Sequence, residues 1–265
     1  MTAFATSPDG TRIAYEAHGE GSPALVLVHG WSCHRGYWDA QLRELSATAS
    51  VVAVDLAGHG ESGVTRQAWS IAAFGADVAA VVDDLALQDV ILIGHSMGAD
   101  VSLEASRNLK NRVRGLVWVD QHRQLSRFMS EVQVRERVAP FRADFVNTTK
   151  TFVRGMFPAS ASALLVERIC AEMSARPQKI ALDALEATWN YGRHVPAVLS
   201  ELRLPLVSIN PRDSAIDIES MRRHGADVVL MADVGHFLMM EKPQEFNTCL
   251  ARIVQAFARG HRGDA

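Results

Sequence analysis

A serine set between glycines, in Gly94-His95-Ser96-Met97-Gly98, is the residue of this chain whose setting points most directly to chemistry. A serine hydroxyl is a poor nucleophile near neutral pH, so it needs a base within hydrogen-bond reach and a carboxylate that orients the base. Ten histidines are available, and position decides among them. His236, in Gly235-His236-Phe237, follows the last strand-like run and falls in a loop at the edge where Ser96 is expected. His18, His122, His224 and His261 lie in less suitable segments, His95 should point away from Ser96 on the turn, and His59 is better placed to brace its own glycine loop. The carboxylate is expected at Asp213, a few residues beyond the strand-like run 204–209. Asp120, which closes the run 113–119, and Asp217 stay open as alternatives.

These groups need a scaffold that delivers them to one edge. Residues 89–93 read as an interior parallel strand and 99–109 as a helix, and a sharp turn between the two requires small residues, which Gly94 and Gly98 supply. Such a turn lifts Ser96 out of the sheet's carboxyl edge and leaves the Met97 N–H at a helix N-terminus, where it can serve a developing oxyanion. A second donor is expected at the Trp31 N–H in His29-Gly30-Trp31, after the buried run 24–28, with Gly30 letting that loop come close. Residues 4–7 and 12–18 flank the turn Pro8-Asp9-Gly10 as an antiparallel hairpin, and the runs 51–54, 113–119, 204–209 and 227–231 complete the strands. Helical patterns over 38–45, 71–87, 220–224 and from Pro243 to about 258 alternate with them, which predicts an α/β fold with a mostly parallel eight-stranded sheet and right-handed crossovers. Between 121 and 200 there is no strand-like run, only helical patterns broken at Pro140, Gly155, Pro158, Pro177, Gly192 and Pro196. The expected organisation is a core of residues 1–120 and 201–265 interrupted by a helical insertion of residues 121–200, with 259–265 as a frayed charged tail.

Composition narrows the partners. A chain of 265 residues that is 48% hydrophobic can bury a full core. Its net charge of −3, spread along the sequence, gives no reason to expect nucleic acid or an anionic membrane as a partner. No apolar run approaches the roughly 18 residues of a membrane span, and the N-terminus has neither a basic nor an apolar signal region, so a cytoplasmic setting is expected. Cys33, Cys170 and Cys249 are an odd number without metal-like spacing; neither a disulfide framework nor a zinc site is suggested, and no metal or cofactor is expected. The sequence carries no signal of oligomeric state.

Four segments together, His29-Gly30-Trp31, Asp55 to Ser62, Gly94 to Gly98 and Gly235-His236-Phe237, resemble the α/β-hydrolase fold family of esterases, lactonases and C–C hydrolases, and occur in that family's order. The resemblance covers the sheet at both ends and leaves the insertion unmatched. It implies a catalytic triad of Ser96, Asp213 and His236, an oxyanion hole from Trp31 and Met97, and a helical cap in residues 121–200. The acid loop departs from the family's Gly-x-x-Asp, reading Asn210-Pro211-Arg212-Asp213. A serine at the nucleophile separates the chain from dehalogenases and epoxide hydrolases of this fold, which carry aspartate there. Implied is cleavage of a carboxylic ester or lactone through an acyl-enzyme. A receptor of the same fold with little turnover, a C–C hydrolase, and a cofactor-free dioxygenase, the last because of Trp31 and nearby His34, are the alternatives.

The insertion carries eleven Lys or Arg against seven Asp or Glu, a net +4 that leaves −7 for the remainder. This is read first as a solvated helical surface matched to an acidic body, with attraction of an anionic substrate as the functional alternative. Its large apolar residues, among them Phe128, Phe152, Phe157 and Trp189, exceed what short helices can bury on their own. With Trp31 and Phe237 as expected substrate contacts, they predict a pocket for an apolar acyl or aromatic group of a small-molecule substrate.

Overall fold

The computed structural model describes residues 1–121 and 124–260; His122, and the tail beyond Gly260 with His261, lie outside the described residues. In chain order the elements are β1 (Ala3–Thr6), β2 (Arg12–His18), β3 (Ala24–Val28), α1 (Asp39–Leu45), β4 (Val51–Val54), α2 (Ile71–Asp84), β5 (Val90–His95), α3 (Met97–Leu109), β6 (Val113–Val119), α4 (Glu131–Ala143), α5 (Phe145–Arg154), α6 (Ala163–Ser174), α7 (Gln178–Tyr191), α8 (Val195–Leu202), β7 (Leu206–Pro211), α9 (Ile218–Arg223), β8 (Ala226–Met231), α10 (Leu238–Glu241) and α11 (Pro243–Gly260).

The eight strands form one sheet in the order β1-β2-β4-β3-β5-β6-β7-β8. β1 and β2 pair antiparallel, β2 pairs antiparallel with β4, and every pairing from β4 through β8 is parallel. The unbroken apolar runs of β3, β4 and β5 are buried at every position, as expected of strands covered by helices on both faces. α2 and α3 pack together as one helical layer, and α11 packs on α1 and on β6. Gly115 of β6 makes room for the Phe257 ring of α11: a Cβ there would lie 2.7 Å from that ring.

Buried ion pairs tie the loops to this frame. Asp55, fully buried at the end of β4, accepts the Arg35 and Glu61 N–H groups at 2.7 and 2.9 Å and pairs with the Arg35 guanidinium. Ser62 Oγ donates to the Asp55 carbonyl at 2.6 Å and accepts the Ala14 N–H, which closes the 55–62 loop onto β2. In the same way Arg66 joins Asp77 of α2 to Asp9 in the β1–β2 turn.

Where observed elements differ from expectation, local chemistry explains the difference. α3 begins at Met97, immediately after the glycine-bounded serine turn, because Ser96 itself occupies the N-cap position. β7 runs two residues beyond the expected 209, to Pro211, whose lack of an N–H is tolerated at the strand's last position. Pro140 and Pro196 sit inside helices. Pro196 opens the first turn of α8, where no N–H is required, while Pro140 lies in the last turn of α4, which ends at Ala143. Among the described residues five α-helices, α4 to α8, lie between β6 and β7, and the last of them extends to Leu202 rather than stopping at 200.

α2 and α3 approach most closely at Gly75, where a Cβ would lie 2.5 Å from Glu104 Cβ and 2.8 Å from the Ala105 nitrogen. Gly75→Ala should therefore destabilise the protein by about 1–3 kcal/mol, because overpacking outweighs alanine's better helix propensity. Chemical denaturation measures it, and a neutral or stabilising result would contradict this close approach.

Candidate active site

The site grows from the carboxyl edge of two neighbouring strands. β5 and β6 pair in parallel with His95 opposite Val119, so the next residues, Ser96 and Asp120, leave the sheet side by side. Both have positive φ, 52° and 45°, a conformation that costs a non-glycine residue energy and is held only where the surroundings dictate it. The Ser96 N–H donates to the Val119 carbonyl at 3.0 Å and the Asp120 N–H to that of Ile209 at 2.9 Å, which fixes both turns to the adjacent strand.

The glycines around Ser96 are contact surfaces. A Cβ on Gly98 would lie 2.7 Å from the His29 carbonyl oxygen, and one on Gly30 would lie 3.1 Å from Ser96 Cβ and 2.9 Å from His95 Nδ1. Their absence lets the Gly30-Trp31 loop and the α3 N-terminus close around the serine. Met97 is the first residue of α3, so its N–H has no intrahelical acceptor. His29 holds the other loop: its Nδ1–H donates to the Gly30 carbonyl at 2.8 Å and its Nε2 accepts the Leu56 N–H at 3.1 Å. The Trp31 indole N–H reaches across to the Ala181 carbonyl of α7 at 2.7 Å.

His236 is held at its ring and along its backbone. Its Nδ1–H donates to Asp120 Oδ2 at 2.7 Å, a carboxylate whose side chain is fully buried. The His236 N–H donates to the Met156 carbonyl of the insertion at 2.9 Å, and its carbonyl accepts the Nε2–H of His95 at 2.9 Å. Glu241 of α10 accepts the flanking N–H groups, Gly235 at 2.9 Å and Phe237 at 3.1 Å. Glu241 belongs to none of the motifs, and its one signal in the sequence is a carboxylate five residues beyond the histidine.

The carboxylate expected beside His236 was Asp213, and the structure brings a different one to it. Asp120, held open as the alternative, is the carboxylate bonded to His236, and Asp213 is not. The chain after β7 turns at once, with the Ser214 N–H and hydroxyl both donating to the Pro211 carbonyl at 3.2 and 2.7 Å, and this leaves Asp213 exposed. Asp217 accepts the Ser220 N–H at 2.8 Å as the N-cap of α9. Of the other histidines, His59 braces its own loop by donating to the Ala57 carbonyl at 2.9 Å. His34 Nδ1 accepts the Gly36 N–H and its Nε2 lies 3.4 Å from Glu172, and it does not line the cavity described next.

Ser96, His236 and Asp120 line a cavity of about 870 Å³ between the sheet edge and the helices α4 to α7. Trp31, Met97 and Phe237 are all buried; Trp31 and Phe237 line the cavity. Trp31 stands edge-on to Phe141, Phe145 and Phe152, and Phe237 stacks on Phe157 with ring centroids 5.1 Å apart. Asp213 lines the same cavity from the loop after β7. Among the described residues no group of three or more His, Cys, Asp or Glu could hold a metal ion, and no helix is long and apolar enough to cross a membrane.

Three histidines are kept neutral inside the protein. Burial, and then the neighbouring His236, holds His95 down from 6.5 to about 3; burial holds His59 to about 4 and His29 well below its ordinary range. The unfolded chain takes up protons at these residues below pH 6.5 and the folded one does not, so stability should fall as the pH drops from about 6.5 toward 4. Asp77 and Glu241, pushed upward by burial, act in the opposite sense, so the histidine share is isolated in His59→Gln. That variant should show a shallower loss of thermal midpoint between pH 6.5 and 4 than the parent; parallel curves would contradict it. Glu241→Ala strands the Gly235 and Phe237 N–H groups and should cost about 1–3 kcal/mol in denaturation, with Glu241→Gln recovering part of the loss and equal losses in the two counting against this bracing role.

The fold has its counterpart in known proteins. The model of the alpha/beta hydrolase family matches residues 25–248. A non-heme haloperoxidase of Rhodococcus erythropolis is 37% identical over 118 residues, which is 44% of this chain and 43% of that protein, less than half the relative's length. Among solved structures, a thermophilic esterase from Thermogutta terrifontis superposes with a TM-score of 0.83 at 23% identity, covering 97% of this chain and 99% of that one. Est816, described as an N-acyl homoserine lactone degrading enzyme, does so at 0.81 and 25% identity over 94% and 99%. With the strand order, the glycine-bounded Ser96 turn and the family match extending from β3 into α11, the chain belongs to the alpha/beta hydrolase family.

Proposed function

We propose that the protein is a serine hydrolase that cleaves a carboxylic ester or lactone through an acyl-enzyme, with Ser96, His236 and Asp120 as the triad. The observation that carries this reading is the 2.7 Å bond from His236 Nδ1–H to Asp120, because it fixes the tautomer and leaves Nε2 free to take the Ser96 proton. Ser96 Oγ attacks the carbonyl carbon and His236 takes its proton, while Asp120 stabilises the resulting imidazolium. The Met97 and Trp31 N–H groups receive the oxyanion. Collapse of the tetrahedral intermediate expels the alcohol, protonated by His236, and leaves Ser96 acylated. Water deprotonated by His236 then attacks the acyl carbon, and the acid departs as Ser96 regains its proton.

The helices α4 to α8 act as a cap that shapes access, and the aromatic wall of Trp31, Phe152, Phe157 and Phe237 supports an apolar acyl or aryl group beside Ser96. The esterase and lactone-degrading enzyme that share the fold support ester chemistry. Oxygen chemistry loses one of its two supports, because His34 is engaged with Gly36 and Glu172 away from the cavity.

Ser96→Ala should abolish turnover of a short p-nitrophenyl ester while the far-ultraviolet circular dichroism is kept. Asp120→Asn should lower kcat by about 10³–10⁴ through the wrong imidazole tautomer, and Asp213→Asn should lower it far less. Full activity in Ser96→Ala overturns the nucleophile, and the reverse ranking of the two aspartates overturns the acid. A folded protein without steady-state turnover of any ester or lactone in a broad panel would point to ligand binding instead.

A further inference from the structure

The cavity is electrically lopsided. Its lining includes two arginines, Arg127 just before α4 and Arg137 within it, both contributed by the insertion. The carboxylates in the lining come from the sheet side: Asp120, bonded to His236, and Asp213 on the loop after β7. Of the insertion's described cations that lack an ion pair, Arg135 and Lys150 among them, only Arg127 and Arg137 line the cavity. Arg142, Arg154, Arg168, Lys179 and Arg193 of the same insertion each pair with a carboxylate, with Glu186, Glu167, Glu172, Asp183 and Glu131 respectively. Arg127 and Arg137 make no ion pair or hydrogen bond with the described residues. The Arg137 guanidinium instead lies 4.8 Å above the Trp189 ring, which holds it in place without neutralising it.

Arg137 has a second position of consequence. A shallower groove of about 410 Å³ between α4 and α5 shares Arg137, Thr151 and Phe152 with the main cavity, so that this arginine stands where the two meet. An anion drawn to the insertion would meet Arg137 whether it came through the groove or lay inside the cavity.

From this polarity we infer that the substrate is an ester or lactone bearing a carboxylate at the end remote from the scissile bond, held by Arg127 and Arg137. The proposal rests on the assignment of Ser96 as the ester-cleaving nucleophile and deepens it. Charge then orients as well as attracts. Asp213 disfavours the anion at the sheet side, the arginines favour it under the insertion, and the apolar middle of the molecule spans the aromatic wall between them. The carbonyl is thereby presented to Ser96 in one direction. Guanidinium groups suit this task because they offer a planar fork to a carboxylate and are always charged.

The test uses two matched pairs, which place the carboxylate on either side of the cleaved bond. One pair is the 4-nitrophenyl ester of adipic acid with its far carboxyl free, against the same molecule with that carboxyl as a methyl ester. The other is 4-butanoyloxybenzoate against 4-butanoyloxybenzamide. For at least one pair, the ratio of kcat/KM for the anionic to the neutral member should fall tenfold or more in Arg127→Gln/Arg137→Gln. The same ratio in the unsubstituted protein should fall on raising salt to about 1 M, where screening shortens to roughly 3 Å. Ser96-dependent turnover with both ratios unmoved by the substitutions and by salt overturns the proposal and leaves the hydrolase reading standing. Absence of turnover for all four esters overturns both.

Discussion

The pairing of β5 with β6 is the constraint on which the site depends. In a parallel pair, residues at the same register leave the sheet together, and His95 opposite Val119 makes Ser96 and Asp120 the first residues past two adjoining strands. Two side chains of the proposed triad thus share one edge without any loop having to carry them there. The cost is local, two non-glycine residues with positive φ, and buried hydrogen bonds to the neighbouring strands sustain it. The remaining member, His236, then has to come to that edge from beyond β8, and the bonds along its backbone serve this purpose.

Those bonds come from three directions. His95, adjacent to the serine in sequence, holds the His236 carbonyl through its Nε2–H. Glu241 gathers the N–H groups on either side from α10. Met156 takes the remaining N–H from the insertion, at a place where Gly235 has no side chain to obstruct the approaching carbonyl. His236 is thus fixed along its own main chain, while the Nδ1 bond to Asp120 and the neighbouring His95 and Phe237 rings act on its ring.

Much of this was legible in the sequence. The strand runs, the alternation with helices, the serine turn and the loop bearing His236 follow from apolar periodicity and from glycine placement, which are local properties. The acid was less legible. Both Asp120 and Asp213 follow strands of the same sheet, and choosing between them depends on which side chain the turn carries inward, a matter of φ at Asp120 and of a tight turn at Pro211 that no periodicity reveals. Glu241 escaped notice for a related reason, since its partners are backbone groups and leave no mark on side-chain pattern. In the insertion, composition indicated aromatic richness and positive charge, whereas the neutralisation of some cations and the orphaning of Arg127 and Arg137 is decided by packing between helices far apart in sequence.

The bond from the His236 N–H to the Met156 carbonyl makes the insertion a structural partner of His236 as well as a roof over the cavity. The two parts of the protein are therefore not interchangeable modules. A segment transplanted from a relative could bring a different pocket wall and still leave this core without the carbonyl that seats its histidine. A change of side chains on α4 and α5 alters the walls of the cavity and the groove without touching the main-chain junction between Met156 and His236.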